Sequence, residues 1–155
     1  MKKILSGILS LILLLSITGC QQTNTNITIE DNVCAFIKEI KDDTILIDIA
    51  EYITADDIKR IEELELSESD MPDGYYIYNV DAKIKECFLT ADTKYNFIDW
   101  HNIFVEEGAD RNYFTTNKED FITYLNSYEN SQPGMPFFFE ITGDKIISIT
   151  EKPMM

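Results

Sequence analysis

Histidine is nearly missing from this chain. His101 is the only one in 155 residues, and its neighbour Trp100 is the only tryptophan. With one imidazole and three cysteines, few soft metal ligands are on offer, and no metal or cofactor motif is present. Basic residues are scarce as well: 13 Lys and Arg face 28 Asp and Glu, a net charge of −15. Such a surface repels phosphate backbones, which argues against nucleic acid as a partner. The chain also lacks an internal repeat, the ordered ligand ladder of an EF-hand loop and any motif that places a nucleophile beside a base. What it does is therefore not written in a catalytic signature.

Only one long apolar run exists, and it comes first. Lys2 and Lys3 precede residues 4–17, which are apolar apart from Ser6, Gly7, Ser10 and Ser16. That charge-then-apolar order marks a secretory signal, and the run is shorter than the ~20 residues a spanning helix needs. It ends on Ile17-Thr18-Gly19-Cys20: an aliphatic residue, a small one, glycine, then cysteine. The segment resembles the bacterial lipoprotein signal. The resemblance implies that Cys20 receives diacylglycerol and that cleavage removes residues 1–19. It further implies a protein held on the extracytoplasmic face of the cell membrane, since two acyl chains suffice for stable anchoring. An uncleaved N-terminal anchor is the competing reading.

Past the signal, the 28 acids face 11 bases, Lys2 and Lys3 having gone, a net of −17. This charge repels anionic headgroups and should hold the folded part off the lipid surface. Solubility explains it adequately; a cationic partner or divalent ions would explain it more sharply. Cys34 and Cys87 form an even pair in an exported chain, which permits a disulfide; two buried thiols are the other arrangement.

Residues 20–32 are polar and rich in Thr and Asn, and are expected to be a flexible tether ahead of a single domain over 33–155. Runs at 33–40 and 45–53 flank Lys41-Asp42-Asp43-Thr44 and predict a hairpin, with Ile45, Ile47 and Ile49 on one face. Thr54-Ala55-Asp56-Asp57 predicts a capped helix whose Ile58, Ile61 and Leu64 form a narrow buried stripe. After the turn Pro72-Asp73-Gly74, strands are expected over 75–80, 84–90 and 94–100. Seven aromatics crowd there: Tyr75, Tyr76, Tyr78, Phe88, Tyr95, Phe97 and Trp100. Core and cross-strand packing accounts for them; stacking on a sugar or peptide is the functional alternative.

Residues 101–115 show no period and are expected to be a long loop, with Glu106, Glu107 and Asp110 as its acids and His101 at its start. Thr116-Asn117-Lys118-Glu119 predicts a second capping box, opening a helix to about Tyr128 with Phe121, Leu125 and Tyr128 on its apolar face and Ile122 beside them. A final hairpin over 136–141 and 145–150 turns at Thr142-Gly143-Asp144.

These elements amount to about seven strands and two helices. The expected fold is α+β: a small, mainly antiparallel, curled or OB-like β-barrel with two covering helices, an open sheet being the alternative. Pro72-Asp73-Gly74-Tyr75-Tyr76-Ile77-Tyr78-Asn79, Phe88-Leu89-Thr90-Ala91-Asp92-Thr93, the helix at 119–126 and the stretch 136–151 are similar to small exported domains of Gram-positive bacteria that carry no defined activity. That resemblance implies fold and location only. The expected role is a non-catalytic binding or accessory module of the cell envelope, for a protein, peptide or glycan. A hydrolase using His101 and the carboxylates of 101–115, or a divalent-cation module, are the alternatives.

Overall fold

A computed structural model describes residues 29–152. The expected signal peptide, Cys20 and most of the expected tether lie outside the described residues. The long first strand β1 (Ile29–Lys41) begins inside the segment expected to be tether, pairing Ile29 with Thr142. Two irregularities, at Glu30/Val33 and Ile37/Glu39, bend β1 so that it pairs with two partners. Its first part pairs with β8 (Phe137–Thr142) and its second with β2 (Thr44–Ile49); Ala35 sits opposite both Phe137 and Ile49.

Around β1 a barrel closes. Strand β2 pairs with β5 (Ile84–Phe88), β8 with β9 (Lys145–Thr150), and β5 meets β9 in parallel at Phe88 and Lys145. Phe88 N donates to Asp144 O at 2.7 Å to seal that seam. Five strands thus form a closed ring in the order β5-β2-β1-β8-β9. Further along, β9 turns its edge to β6 (Lys94–Ile98), again in parallel, and β6 pairs antiparallel with β7 (Asn112–Thr115). The interior takes alternate residues of β2, Ile45 and Ile47, and Ile146 and Ile149 of β9, three apart beside the register shift at Glu140/Ile141, all fully buried.

Helix α2 (Lys118–Asn126) lays Phe121, Tyr124 and Leu125 into the same core. There Tyr124 stacks on Phe97 at 4.2 Å between centroids and Phe121 on Tyr95 at 4.8 Å. Aromatic pairs of this geometry add about 1 kcal/mol each beyond the area they bury.

The structure differs from the expected elements at four further places. The run 45–53 breaks at Ala50, whose N–H donates to Cys34 O at 2.9 Å. The chain beyond it, β3 (Glu51–Thr54), leaves the barrel to pair with β4 (Tyr75–Tyr78) in a separate two-stranded sheet. The patternless 101–115 segment contains β7, too short to show a period. The first helix, α1 (Ile58–Glu63), starts after Asp57, whose carboxylate instead accepts from Thr54 N–H and hydroxyl in the turn before it. Its stripe is not buried: Ile58 is 64 % exposed. Arg60 holds α1 to the β3–β4 hairpin through Glu51 and by lying 5.0 Å over Tyr78. Finally, α2 is capped one residue later than expected, by Asn117, which accepts from Glu119 N–H and donates to Asp120.

Candidate functional site

Two buried or multiply bonded carboxylates shape the surface where β6 ends. Asp99 is fully buried. Its oxygens accept from the backbone N–H groups of Ile103, Phe104 and Val105 at 2.9, 2.7 and 3.0 Å. Burial alone would push this carboxyl up, but the three donors outweigh it and hold it below the ordinary carboxylate range. The effect is to wind residues 101–105 tightly and leave Trp100 and His101 on the outside. Glu151, just past β9, completes the arrangement. One oxygen accepts from Ile98 N–H at 2.7 Å and Tyr124 O–H at 2.8 Å, the other from the Trp100 indole N–H at 3.2 Å.

Trp100 is therefore fixed in place while 48 % exposed. It forms one wall of a groove of about 540 Å³, with Tyr75, Tyr128, Pro133 and Met135 as further apolar walls. Asp73, His101, Glu151 and Lys152 supply its polar edges. Tyr75 is itself braced, stacking on Tyr52 at 5.3 Å. Burial and the nearby Asp73 carboxylate raise its phenol above the ordinary tyrosine value. Lys152 lies 3.9 Å over the Phe138 ring, a cation–π contact that presents its charge at the groove edge.

His101 meets Tyr128 edge-on at 5.3 Å and places Nδ1 3.2 Å from Ser127 Oγ. A Ser–His contact raises the question of nucleophilic catalysis. Ser127, however, donates its own proton to Tyr124 O at 2.6 Å. The hydroxyl is then left to accept from the imidazole, which puts the ring proton on Nδ1. That is the reverse of an activated nucleophile and serves to tie the end of α2 to the loop.

Of the residues singled out by sequence, the fold brings Tyr75, Trp100 and His101 together. Tyr95 and Phe97 go to the core, and Phe88 is 38 % exposed on β5. Glu106, Glu107 and Asp110 are exposed outside the groove, and Asp110 caps its own turn by accepting from Asn112 N–H at 3.0 Å. Among the described residues no group of three or more His, Cys, Asp and Glu could hold a metal ion. Cys34 and Cys87 stand as two buried thiols in separate apolar clusters, Cys34 beside Ala50 and Phe138, Cys87 in the main core. Burial pushes the Cys34 thiol up to about 11, against the lowering pull of Lys152. Sequence reading missed Glu151, Pro133, Met135 and Lys152 and gave Tyr128 only a place on the apolar stripe of the second helix. The groove joins segments more than 50 positions apart, and a lone Glu after a strand carries no local signal.

No family model matches the chain, and no curated protein or solved structure matches it.

Proposed function

We propose that the chain is a lipid-anchored protein of the outer face of the cell membrane, whose barrel is a non-catalytic binding module for an envelope protein, peptide or glycan. The observation that carries this reading is Trp100: a large aromatic side chain held half-exposed by the Glu151 carboxylate, on a groove whose His101 and Glu151 are engaged in structural hydrogen bonds. Such pinned, partly open aromatics are what recognition surfaces use as anchors. The anchoring rests on Ile17-Thr18-Gly19-Cys20 behind its basic and apolar regions.

The barrel is of the OB kind in this reading. Its support is the connectivity: barrel strands β1, β2, β5, β8 and β9 are ordered β5-β2-β1-β8-β9, the third and fifth meet in parallel, and α2 precedes the fourth. OB barrels present oligosaccharides and oligonucleotides on one face; the net charge of −15 disfavours the latter.

The test is in-cell photocrosslinking of the full chain from position 135, where Met135 is 38 % exposed on the groove, with position 147 on β9 as the control outside it. A partner is expected from 135 alone, lost on Trp100→Ala and altered on Cys20→Ala. Equal capture from both positions, or capture indifferent to Trp100, sinks the assignment of the groove.

A further inference from the structure

A second cavity, of about 240 Å³, shares Pro133 and Met135 with the groove and is otherwise distinct from it. Phe36 and Phe137 give it apolar walls, while Lys38, Asp48 and Asn79 give it polar ones. Asp48 is the unusual residue. It sits mid-strand on β2 and is only 5 % exposed. Its Oδ1 accepts from Lys83 N–H at 2.9 Å; among the described residues its Oδ2 has one long hydrogen bond, from Asn79 Nδ2 at 3.3 Å. The Lys38 ammonium stops 4.0 Å short of Oδ2, its side chain 49 % exposed. Asn79 Oδ1 is buried and has no donor among the described residues. Two residues of the lining thus carry unsatisfied acceptor capacity beside apolar walls: Asp48 with a thinly paired charge and Asn79 with a buried oxygen that has no donor among the described residues. Burying a carboxylate so thinly paired is costly, and a buried orphan acceptor adds to that cost.

We infer that this cavity binds a primary ammonium or guanidinium group. Its N–H donors would serve Asp48 Oδ2 and Asn79 Oδ1 together, and its alkyl stem would lie against Phe36 and Phe137. Lys38 is the resident competitor on the rim, displaced to water when the ligand cation enters. The net charge of −15 draws cations toward the surface generally; the cavity selects those with N–H donors on a short apolar stem. The group can come from a free alkylamine or from a lysine or arginine side chain of a peptide. The site stands whether or not the Trp100 groove binds a partner.

The experiment is an NMR titration of the ¹⁵N-labelled full chain in detergent with butylammonium, butylguanidinium and, as the uncharged control, 1-butanol. Saturable shifts are expected for the Lys83 backbone and Asn79 side-chain amides with the two cations and not with butanol, at roughly millimolar dissociation constants. Asp48→Asn should abolish them. Lys38→Gln, at an exposed position, should tighten binding roughly two- to fivefold, the range set by one half-exposed ion pair. A short capped peptide whose one charged residue is a lysine, set against Nα-acetyl-lysine amide with its side-chain ammonium free, separates the sources: tighter binding of the peptide assigns a protein or peptide ligand, equal binding a small amine. No saturable shift in the wild-type chain overturns the inference. So does Lys38→Gln leaving affinity unchanged or weakened, and that variant decides the matter even if Asp48→Asn fails to fold.

Discussion

Asp99 and Glu151 show how single carboxylates, rather than motifs, build this surface. Asp99 gathers three backbone donors from one short loop, a local arrangement that an Asp at a strand end can suggest. Glu151 reaches Ile98 and Trp100 across more than 50 positions, and nothing near it in the chain announces that. For Asp99 the linkage has a definite sign. Its folded carboxyl titrates below the unfolded value of about 4, so its contribution to stability is present above about pH 4 and is lost as pH falls through the lower folded value. Asp99→Asn should therefore cost about 2 kcal/mol at neutral pH and flatten the acid limb of a denaturation series below pH 4. An unchanged acid limb in the variant would show that other carboxylates control acid unfolding. Because Trp100 is the only tryptophan, its fluorescence reports loosening of the loop in the same experiment.

Among the elements, the barrel hairpins were legible and the appendages were not. Ile45, Ile47 and Ile49 alternate because β2 has one face in the core, and Phe121 and Leu125 repeat because α2 has one stripe there. Glu51 interrupts that alternation, but Ile53 resumes it in the same phase, and a single interruption did not reveal that Ala50 takes the chain out of the barrel into the β3–β4 sheet. Ile58, Ile61 and Leu64 mimic an apolar stripe on a helix that has no core to face; Arg60, through Glu51 and Tyr78, is what holds α1 in place. The two helices should respond to mutation in opposite ways. Ile58→Lys is expected within about 0.5 kcal/mol of wild type, as for an ordinary surface change. Phe121→Ala, removing a ring packed on Tyr95, Phe97 and Phe137, is expected to cost about 3–5 kcal/mol. Denaturant midpoints measure both, and a large loss at Ile58 would mean that α1 covers a face of the barrel after all.

For the molecule as a whole, charge is the property most plainly read from composition, and it bears on stability as well as on partners. With 28 acids against 13 bases, the compact state concentrates repulsion that the unfolded chain spreads out. Ion pairs among the described residues, such as Lys118–Asp43 and Arg60–Glu51, lie largely at the surface, where each offsets little of it. Salt should therefore stabilise this protein rather than weaken it. Raising NaCl from low concentration to about 0.15 M shortens the screening length to roughly 8 Å, and relief of about 1 kcal/mol corresponds to a rise of roughly 4 °C in melting temperature. A fall in Tm would mean that attractive pairs outweigh the net repulsion. CaCl₂ at matched ionic strength separates screening from binding. The exposed positions of Glu106, Glu107 and Asp110, which belong to no group of three or more ligands able to hold a metal among the described residues, predict equal shifts from the two salts, because a diffuse ion atmosphere distinguishes little between them at equal ionic strength. A clear excess with Ca²⁺ would require carboxylates converging on one ion, and would move the protein's acidity from a matter of solubility to one of ligand binding.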